Sequence, residues 1–323
     1  MALSSSGNGP VGAPHLSGYA ARDHEVIDYR MVELPGTGLW FRGPLPESLA
    51  PGSFVACLGA AQTFGCFCEE PYPRLLEREL GLPVLNLGYG GAGPAFFAGQ
   101  PALLELVNRA RAVVVQVMSA RSESNSRFES GGLEYLRRRS DGAWLGAELA
   151  WQQFLDGEHL WPARRARLMR WCARRAGRLQ ARALVAETRR RWVESSLALA
   201  RALRVPSVLL WFSRRTPRYS PSLRHVGSLF GEYPQLVTAE MVARLRPAHA
   251  RYVECVTSRG LPQLLCSRFT GLPCRIDPSR DRHDLAGPPW THNHYYPAPQ
   301  MHADACAALA GHLQDLLEGH PSR

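Results

Sequence analysis

Short apolar segments alternate along this chain with segments of helical periodicity. The segment 112–118 is continuous and mostly β-branched, which is typical of a parallel strand covered on both faces. Similar apolar or β-branched segments predict four further strands, at 54–58, 83–88, 205–212 and 251–256. Amphipathic segments predict intervening helices at 73–80, 101–109, 238–250 and 301–318. This alternation predicts the α/β class with a doubly wound parallel five-stranded sheet.

The remaining segments suggest how the domain is organised. Residues 133–204 are rich in Arg and Trp and too long for a simple crossover, so they predict a helical insertion or cap. Residues 1–18 are rich in Ser, Gly and Pro and lack the basic start and apolar stretch of a signal peptide, which predicts a disordered tail. We therefore expect one α/β domain over 19–323. No apolar run approaches the roughly 20 residues of a membrane helix, so we expect a cytoplasmic protein without a membrane partner.

Composition changes this picture little. The chain has 323 residues, of which 45% are hydrophobic and 20% charged, as in a globular protein with a sizeable core. The net charge is +10, and all 38 basic residues are arginine. The absence of lysine indicates a GC-rich codon bias, which weakens the basic charge as evidence for nucleic acid. The arginines of 164–204 follow helical spacing, which favours a solvated helix face over a surface for an anionic partner.

The cysteines and histidines do not predict a metal or other cofactor. The eight cysteines include no Cys-x-x-Cys pair, so a zinc ribbon is not expected and the thiols are interpreted as core residues. His292 and His294 form a His-x-His pair, but no cluster of carboxylates or thiolates accompanies it.

Candidate chemistry lies in four loops. In an open parallel sheet, the loops that follow the strands meet at the carboxyl edge, where ligands bind. The predicted loops are 59–65, 86–94 and 119–127, together with the late segment 290–302.

These loops resemble the blocks of the SGNH/GDSL hydrolase superfamily. The spacing of Gly59–Gly65 matches a Gly-Asp-Ser-x-Thr-x-Gly block, and Asn86-Leu-Gly88 with Gly91 matches the second block. Residues 296–309 are similar to the last block, whose usual form ends in a histidine and an Ala-rich helix. The resemblance implies an SGNH/flavodoxin-like sheet with a helical insertion. It also implies backbone oxyanion donors at Gly59, Gly88 and Gly91.

The chain departs from this pattern at the catalytic positions. Ala60 and Ala61 stand where the superfamily has Asp and Ser, Ser122 stands in the Asn position, and Tyr296 stands in the His position. An alanine cannot attack a carbonyl, so the usual serine mechanism is not supported.

Other side chains are left as candidates. His302 and Tyr296 are the acid/base candidates, and Thr63 carries the hydroxyl of the first loop. The predicted ligand-binding residues are Asn86, Arg121, Ser122, Asn125 and Arg214, of which the arginines could clamp an anionic group.

More narrowly, the layout resembles a bacterial domain family that has no assigned activity and is sometimes found beside sulfotransferases. This resemblance rests on Leu39–Pro44, Pro71–Pro73 and Val115–Met118, in addition to the glycine loops. Two functions stay open. The chain is either an atypical enzyme acting in acyl or ester chemistry on a carbohydrate or small metabolite, or a catalytically inactive binding or scaffold protein of the same fold. The oligomeric state stays open as well.

Overall fold

A computed structural model describes residues 19–157, 167–278 and 288–319. The predicted tail 1–18 lies outside these ranges. The strands of the described part are β1 (Val32–Leu34), β2 (Leu39–Phe41), β3 (Val55–Gly59), β4 (Val84–Gly88), β5 (Ala112–Gln116), β6 (Phe128–Glu129), β7 (Tyr135–Arg138), β8 (Trp144–Gly146), β9 (Ser207–Ser213), β10 (Arg251–Val256), β11 (Gln263–Leu264) and β12 (His292–Asn293). Its helices are α1 (Tyr19–Asp23), α2 (Ala61–Phe64), α3 (Tyr72–Leu80), α4 (Pro94–Ala98), α5 (Pro101–Val107), α6 (Ala147–Leu155), α7 (Arg167–Ala202), α8 (Val226–Phe230), α9 (Ala239–Leu245) and α10 (Pro299–Leu317).

The central sheet has five parallel strands in the order β4-β3-β5-β9-β10. This is the flavodoxin-like order 2-1-3-4-5, which confirms the predicted doubly wound fold. Every residue of β3, β5 and β9 is buried, because helices cover both faces of these strands.

Two apolar layers hold the helices on the sheet. Val55 and Cys57 of β3 point to the face covered by α3 and α10. Ala56 and Leu58 alternate to the opposite face, where α4, α5 and the end of α7 pack. None of the helices in the described ranges has the length and apolar character needed to span a membrane.

The structure corrects one element of the predicted insertion. Residues 133–204 are not helical throughout, because β7 and β8 pair as an antiparallel hairpin and β6 adds a third strand. The turn of this hairpin contains Asp141-Gly142, and Gly142 has a φ of 73°. An Asp-Gly pair between short strands is a strong hairpin signal, which the arginine-rich pattern obscured. The helices of the described segment are α6 and the 36-residue α7.

Candidate functional site

A cavity of about 190 Å³ opens at the carboxyl ends of β3 and β5, which is the switch point of the sheet. All four predicted loops contribute to its wall, through Ala60, Ala61, Gln62, Gly91, Ala92, Ser119, Arg121, Ser122, Trp290, Tyr295 and Tyr296. Other parts of the chain complete the wall with Arg22, Glu134, Glu148, Tyr233 and Gln235. We call this space the inner cavity.

A larger outer cavity of about 390 Å³ adjoins the inner one. The two share the lining residues Gln62, Glu148, Tyr233, Gln235 and Tyr295, so we treat them as one crevice with a neck between its parts. The outer wall is partly apolar and includes Phe212, Phe230 and Met301. A concave, partly apolar site with a few polar groups is the usual form of a small-molecule site.

Thr63 lies behind the crevice, where its hydrogen bonds give it a structural role. It is fully buried, and its hydroxyl donates to Gln116 Oε1 at 2.7 Å and lies 3.0 Å from the Tyr72 hydroxyl. The same Gln116 oxygen accepts a bond from the backbone nitrogen of Ala60 at 3.0 Å. These bonds tie the loop after β3 to the end of β5, and Thr63 is not part of the crevice wall.

Two of the three predicted oxyanion glycines are required by packing. The backbone N–H of Gly88 donates to Asn86 Oδ1 at 2.9 Å, so it is not directed at a ligand. A Cβ at Gly88 would overlap the backbone nitrogen of Phe64, and one at Gly59 would overlap the Thr63 hydroxyl. Asn86 faces a separate surface depression, away from the crevice. Gly91 does lie on the inner wall, with a φ of 74°.

His302 is enclosed in the core between α3 and α10. Its Nδ1 accepts a bond from the backbone nitrogen of Tyr72 at 3.2 Å, and its Nε2 has no partner in the described chain. Its ring lies 6.2 Å from that of Tyr72 and 5.5 Å from that of Phe212. Burial, and secondarily the charge of Arg42, lowers the pKa of His302 to about 3. The side chain does not line the crevice, so the structure does not bring this base candidate to the other loops.

Tyr296 does reach the inner cavity, in a turn shaped by Asn293. The Asn293 amide oxygen accepts bonds from the backbone nitrogens of Tyr295 and Tyr296, at 3.0 and 2.8 Å. The Asn293 Nδ2 donates back to the Tyr296 carbonyl at 2.9 Å. Asn293 therefore fixes the turn that presents both tyrosine rings.

Arg22 brings a buried positive charge to the same wall. Its guanidinium lies 5.2 Å from the ring of Trp290 and 5.6 Å from that of Tyr296, within cation–π range. It also donates to Asp23 Oδ2 at 2.9 Å. Burial raises the pKa of Asp23, although the Arg22 charge opposes this shift.

Carboxylates surround the arginine of the third loop. Arg121 donates to Glu134 at 3.1 Å and to Glu148 at 3.2 Å. Ser122 is buried on the cavity wall. Asn125 lies away from the crevice, where it accepts bonds from the backbone nitrogens of residues 127 and 128. Of the predicted binding residues in this loop, Arg121 and Ser122 reach the site and Asn125 does not.

Arg214 lies on the outer wall and is also paired. It forms an ion pair with Glu232 at 2.8 Å and donates to the carbonyl of His294 at 3.1 Å. The neighbouring Arg215 holds the following loop by donating to the carbonyls of residues 216, 232, 234 and 237. Burial lowers the pKa of Arg215 to about 10.

Two buried glutamines at the neck were not predicted from the sequence. Gln62 is 3% exposed, and its Oε1 has no hydrogen-bond partner in the described chain. Gln235 is 4% exposed; its Nε2 donates to the Tyr295 hydroxyl at 3.0 Å, and its Oε1 also lacks a partner there. Gln62 directly follows Ala61 in the first predicted loop, so its position in the sequence could have indicated that it lies at the site. Gln235 comes from an irregular loop, so no pattern indicated it.

The described wall lacks two side chains that hydrolases often use in catalysis, histidine and cysteine. Within the described ranges, no histidine or cysteine lines either cavity, and Ala60 and Ala61 occupy the wall at the end of β3. Cys66 and Cys68 are buried elsewhere, and burial raises the pKa of Cys68 to about 12. The same ranges contain no group of three side chains suited to hold a metal ion.

Comparison with known proteins gives a family match. The family model described as "Domain of unknown function (DUF6473)" matches residues 18–130 and 166–270. No curated protein matches the sequence.

Several solved structures are similar to this chain. A carbohydrate esterase family 2 enzyme of Corynascus thermopiles (Myceliophthora fergusii) has 13% identity and a TM-score of 0.37, over 85% of this chain and 69% of that one. A candidate SGNH hydrolase of Slackia heliotrinireducens has 15% identity and a TM-score of 0.35, over 81% and 99%. An acetyl xylan esterase of Butyrivibrio proteoclasticus has 10% identity and a TM-score of 0.36, over 87% and 67%. The activities named belong to those proteins.

Proposed function

Since the chain belongs to the family of the domain of unknown function DUF6473, we propose a function from its crevice: reversible binding of a small hydroxylated ligand of the carbohydrate type. In this proposal the protein keeps a hydrolase-like fold without serine-type ester hydrolysis. The observation that carries it is the composition of the inner wall. Loops from four parts of the chain converge there, but alanines occupy the end of β3 and the described wall offers no histidine.

The character of the wall supports a polar organic ligand. Trp290, Tyr233, Tyr295 and Tyr296 provide aromatic surface, which combines apolar faces with polar groups at the ring edge. Amides, hydroxyls and carboxylates lie between these rings. A site of this kind favours a compact ligand with many hydroxyl groups over an extended apolar one.

A second candidate is acyl or ester chemistry on the same class of ligand. Ser122 favours it, because this buried serine lies on the inner wall. A hydroxyl acts as a nucleophile only beside a base. Glu134 is a carboxylate of the inner wall that could serve as this base, although it already forms an ion pair with Arg121. This candidate therefore requires Arg121 to release Glu134 when a substrate binds.

Two measurements separate these candidates. In the first, sugars are titrated into the protein and binding is followed by ligand-observed NMR. In the second, p-nitrophenyl acetate and butyrate are assayed for turnover, and a fluorophosphonate probe is tested for covalent labelling. Sugar binding without turnover or labelling is the expected result. Turnover and labelling that disappear in Ser122→Ala, but persist in the surface variant Ser48→Ala, would establish the second candidate instead.

A further inference from the structure

The charged and hydrogen-bonding groups of the crevice indicate which kind of ligand the proposed function would involve, and the inference below rests on that proposed function. We infer that the crevice selects an uncharged ligand with neighbouring hydroxyl groups, and that the side-chain amides of Gln62 and Gln235 recognise it.

The two amides are placed for recognition, and the oxygen atom of each lacks a partner within the described chain. Both glutamines lie at the neck, where they line the inner and the outer cavity together. Both are more than nine-tenths buried, and the Oε1 atom of each has no hydrogen-bond partner in the described chain. A buried polar group without a partner is costly in a folded protein, so such groups commonly mark a place where another molecule completes the bond.

An amide pair suits hydroxyl groups in particular. The amide of glutamine offers one acceptor and one donor group, and half a turn about its last torsion exchanges them. A hydroxyl can donate and accept, so it can satisfy either end of the amide. Gln235 is anchored through its Nε2 to the Tyr295 hydroxyl, which leaves its oxygen as an acceptor. Two such amides at one neck match two neighbouring hydroxyls on one ligand.

Each arginine of the crevice is already paired with a carboxylate of the chain. Although the whole chain has a net charge of +10, the two cavities are lined by three arginines and three glutamates, namely Arg22, Arg121, Arg214, Glu134, Glu148 and Glu232. Arg121 pairs with two of these glutamates and Arg214 with the third, while Arg22 pairs with Asp23 behind the wall. An anionic ligand would have to displace one of these carboxylates, whereas a neutral ligand leaves each pair intact.

The inference is tested by titrating matched sugars into the full chain. The neutral probes are D-glucose, D-galactose, D-xylose and N-acetyl-D-glucosamine, and the anionic ones are D-glucuronate and D-glucose 6-phosphate. Binding is measured by ligand-observed NMR and calorimetry. We expect at least one neutral sugar to bind and its charged analogue to bind at least about tenfold more weakly. Added salt should have little effect on the affinity for the neutral sugar, because that ligand carries no net charge.

Variants test the role of the amides. Gln62→Leu and Gln235→Leu are each expected to weaken neutral sugar binding about tenfold, the effect of one lost hydrogen bond to the ligand. The control Gln314→Leu changes an exposed glutamine on α10 and should bind normally. Gln62→Met and Gln235→Met repeat the test with a more flexible side chain, and thermal unfolding verifies that each variant is folded.

The outcomes separate the two levels of the hypothesis. Binding of neutral sugars that is unaffected in all four glutamine variants would overturn the inference and leave the proposed function standing. If the anionic sugars bind more tightly than the neutral ones and salt weakens their binding, the inference is also overturned and the arginines would be the recognising groups. No binding of any sugar at millimolar concentration would overturn the proposed function together with the inference.

Discussion

Gln62→Leu tests the energetics of the crevice apart from any ligand. The substitution removes a buried amide whose Oε1 has no hydrogen-bond partner in the described chain and replaces it with an apolar side chain of similar size. We therefore expect the variant to be more stable than the natural chain, even though it loses a group that recognises the ligand. A binding site that is destabilised in the empty state is a common form of the trade-off between stability and function.

The expected gain follows from the burial of Gln62. Leaving a buried polar group without a bond costs about 1–3 kcal/mol, and leucine does not have that cost. Part of the gain is offset where the branched side chain packs imperfectly, so we expect a net gain of about 1–2 kcal/mol. For proteins of 150–250 residues, 1 kcal/mol raises the melting temperature by about 2–4 °C, and the effect is smaller in larger chains. At about 2.1 cal/mol/K per residue, the unfolding entropy of this 323-residue chain is about 0.7 kcal/mol/K, so the expected rise is about 1.5–3 °C.

The assay is urea and thermal unfolding, compared with Asn125→Leu. Asn125 is an equally buried amide that is fully bonded: it accepts two backbone N–H groups and donates to Thr188. Its replacement leaves those groups unpaired and should lower the free energy of unfolding by at least about 2 kcal/mol. If Gln62→Leu lowers stability as much as Asn125→Leu, the Gln62 amide is satisfied in the empty protein and the reasoning above is refuted.

Three further predictions concern buried polar groups. Thr63→Val should lower the free energy of unfolding by about 1–2 kcal/mol, because the Gln116 oxygen loses a hydrogen-bond donor. The sugar affinity measured by calorimetry should stay unchanged, and a large loss of affinity would place Thr63 in the site. The pKa of His302 is about 3 in the folded chain and about 6.5 when unfolded, so the histidine lowers the free energy of unfolding as the pH falls from about 6.5 to 3. In urea unfolding, His302→Phe should therefore lose less stability than the natural chain across this range. Parallel stability profiles of the two proteins would contradict this expectation. Burial raises the pKa of Glu123 from 4.5 to about 7, so its ionisation withdraws about 3 kcal/mol of stability as the pH rises through this range. Glu123→Gln should therefore be more stable than the natural chain at pH 8 but not at pH 4.5, and an equal difference at both values would rule this out.

The strands of the central sheet were predictable because their physical signal is local. All five predicted segments became strands of one parallel sheet, with ends shifted by one or two residues in most cases. Burial on both faces requires an apolar residue at nearly every position, and the sequence displays that directly. The hairpin of β7 and β8 was missed because its strands are short and carry Arg137 and Arg138, which match a helical charge pattern equally well.

The candidate site was predictable in its location but not in its groups. Which loops meet follows from the topology of a parallel sheet, and residues of all four loops line the inner cavity. The direction of each side chain depends on packing that no local pattern records. His302 lies in the first turn of α10, which packs on α3, so its ring turns into the core. Glu134 and Gln235 come from segments outside the predicted loops.

The close packing at Gly59 and Gly88 has a consequence for how such sequences are compared. The turn after β3 packs so closely on both positions that only glycine fits, since any side chain there would overlap Thr63 or Phe64. That demand exists whether or not the neighbouring position 61 carries a nucleophile. Glycines at these positions therefore report how tightly this turn is packed, and they carry no information about whether position 61 takes part in a reaction.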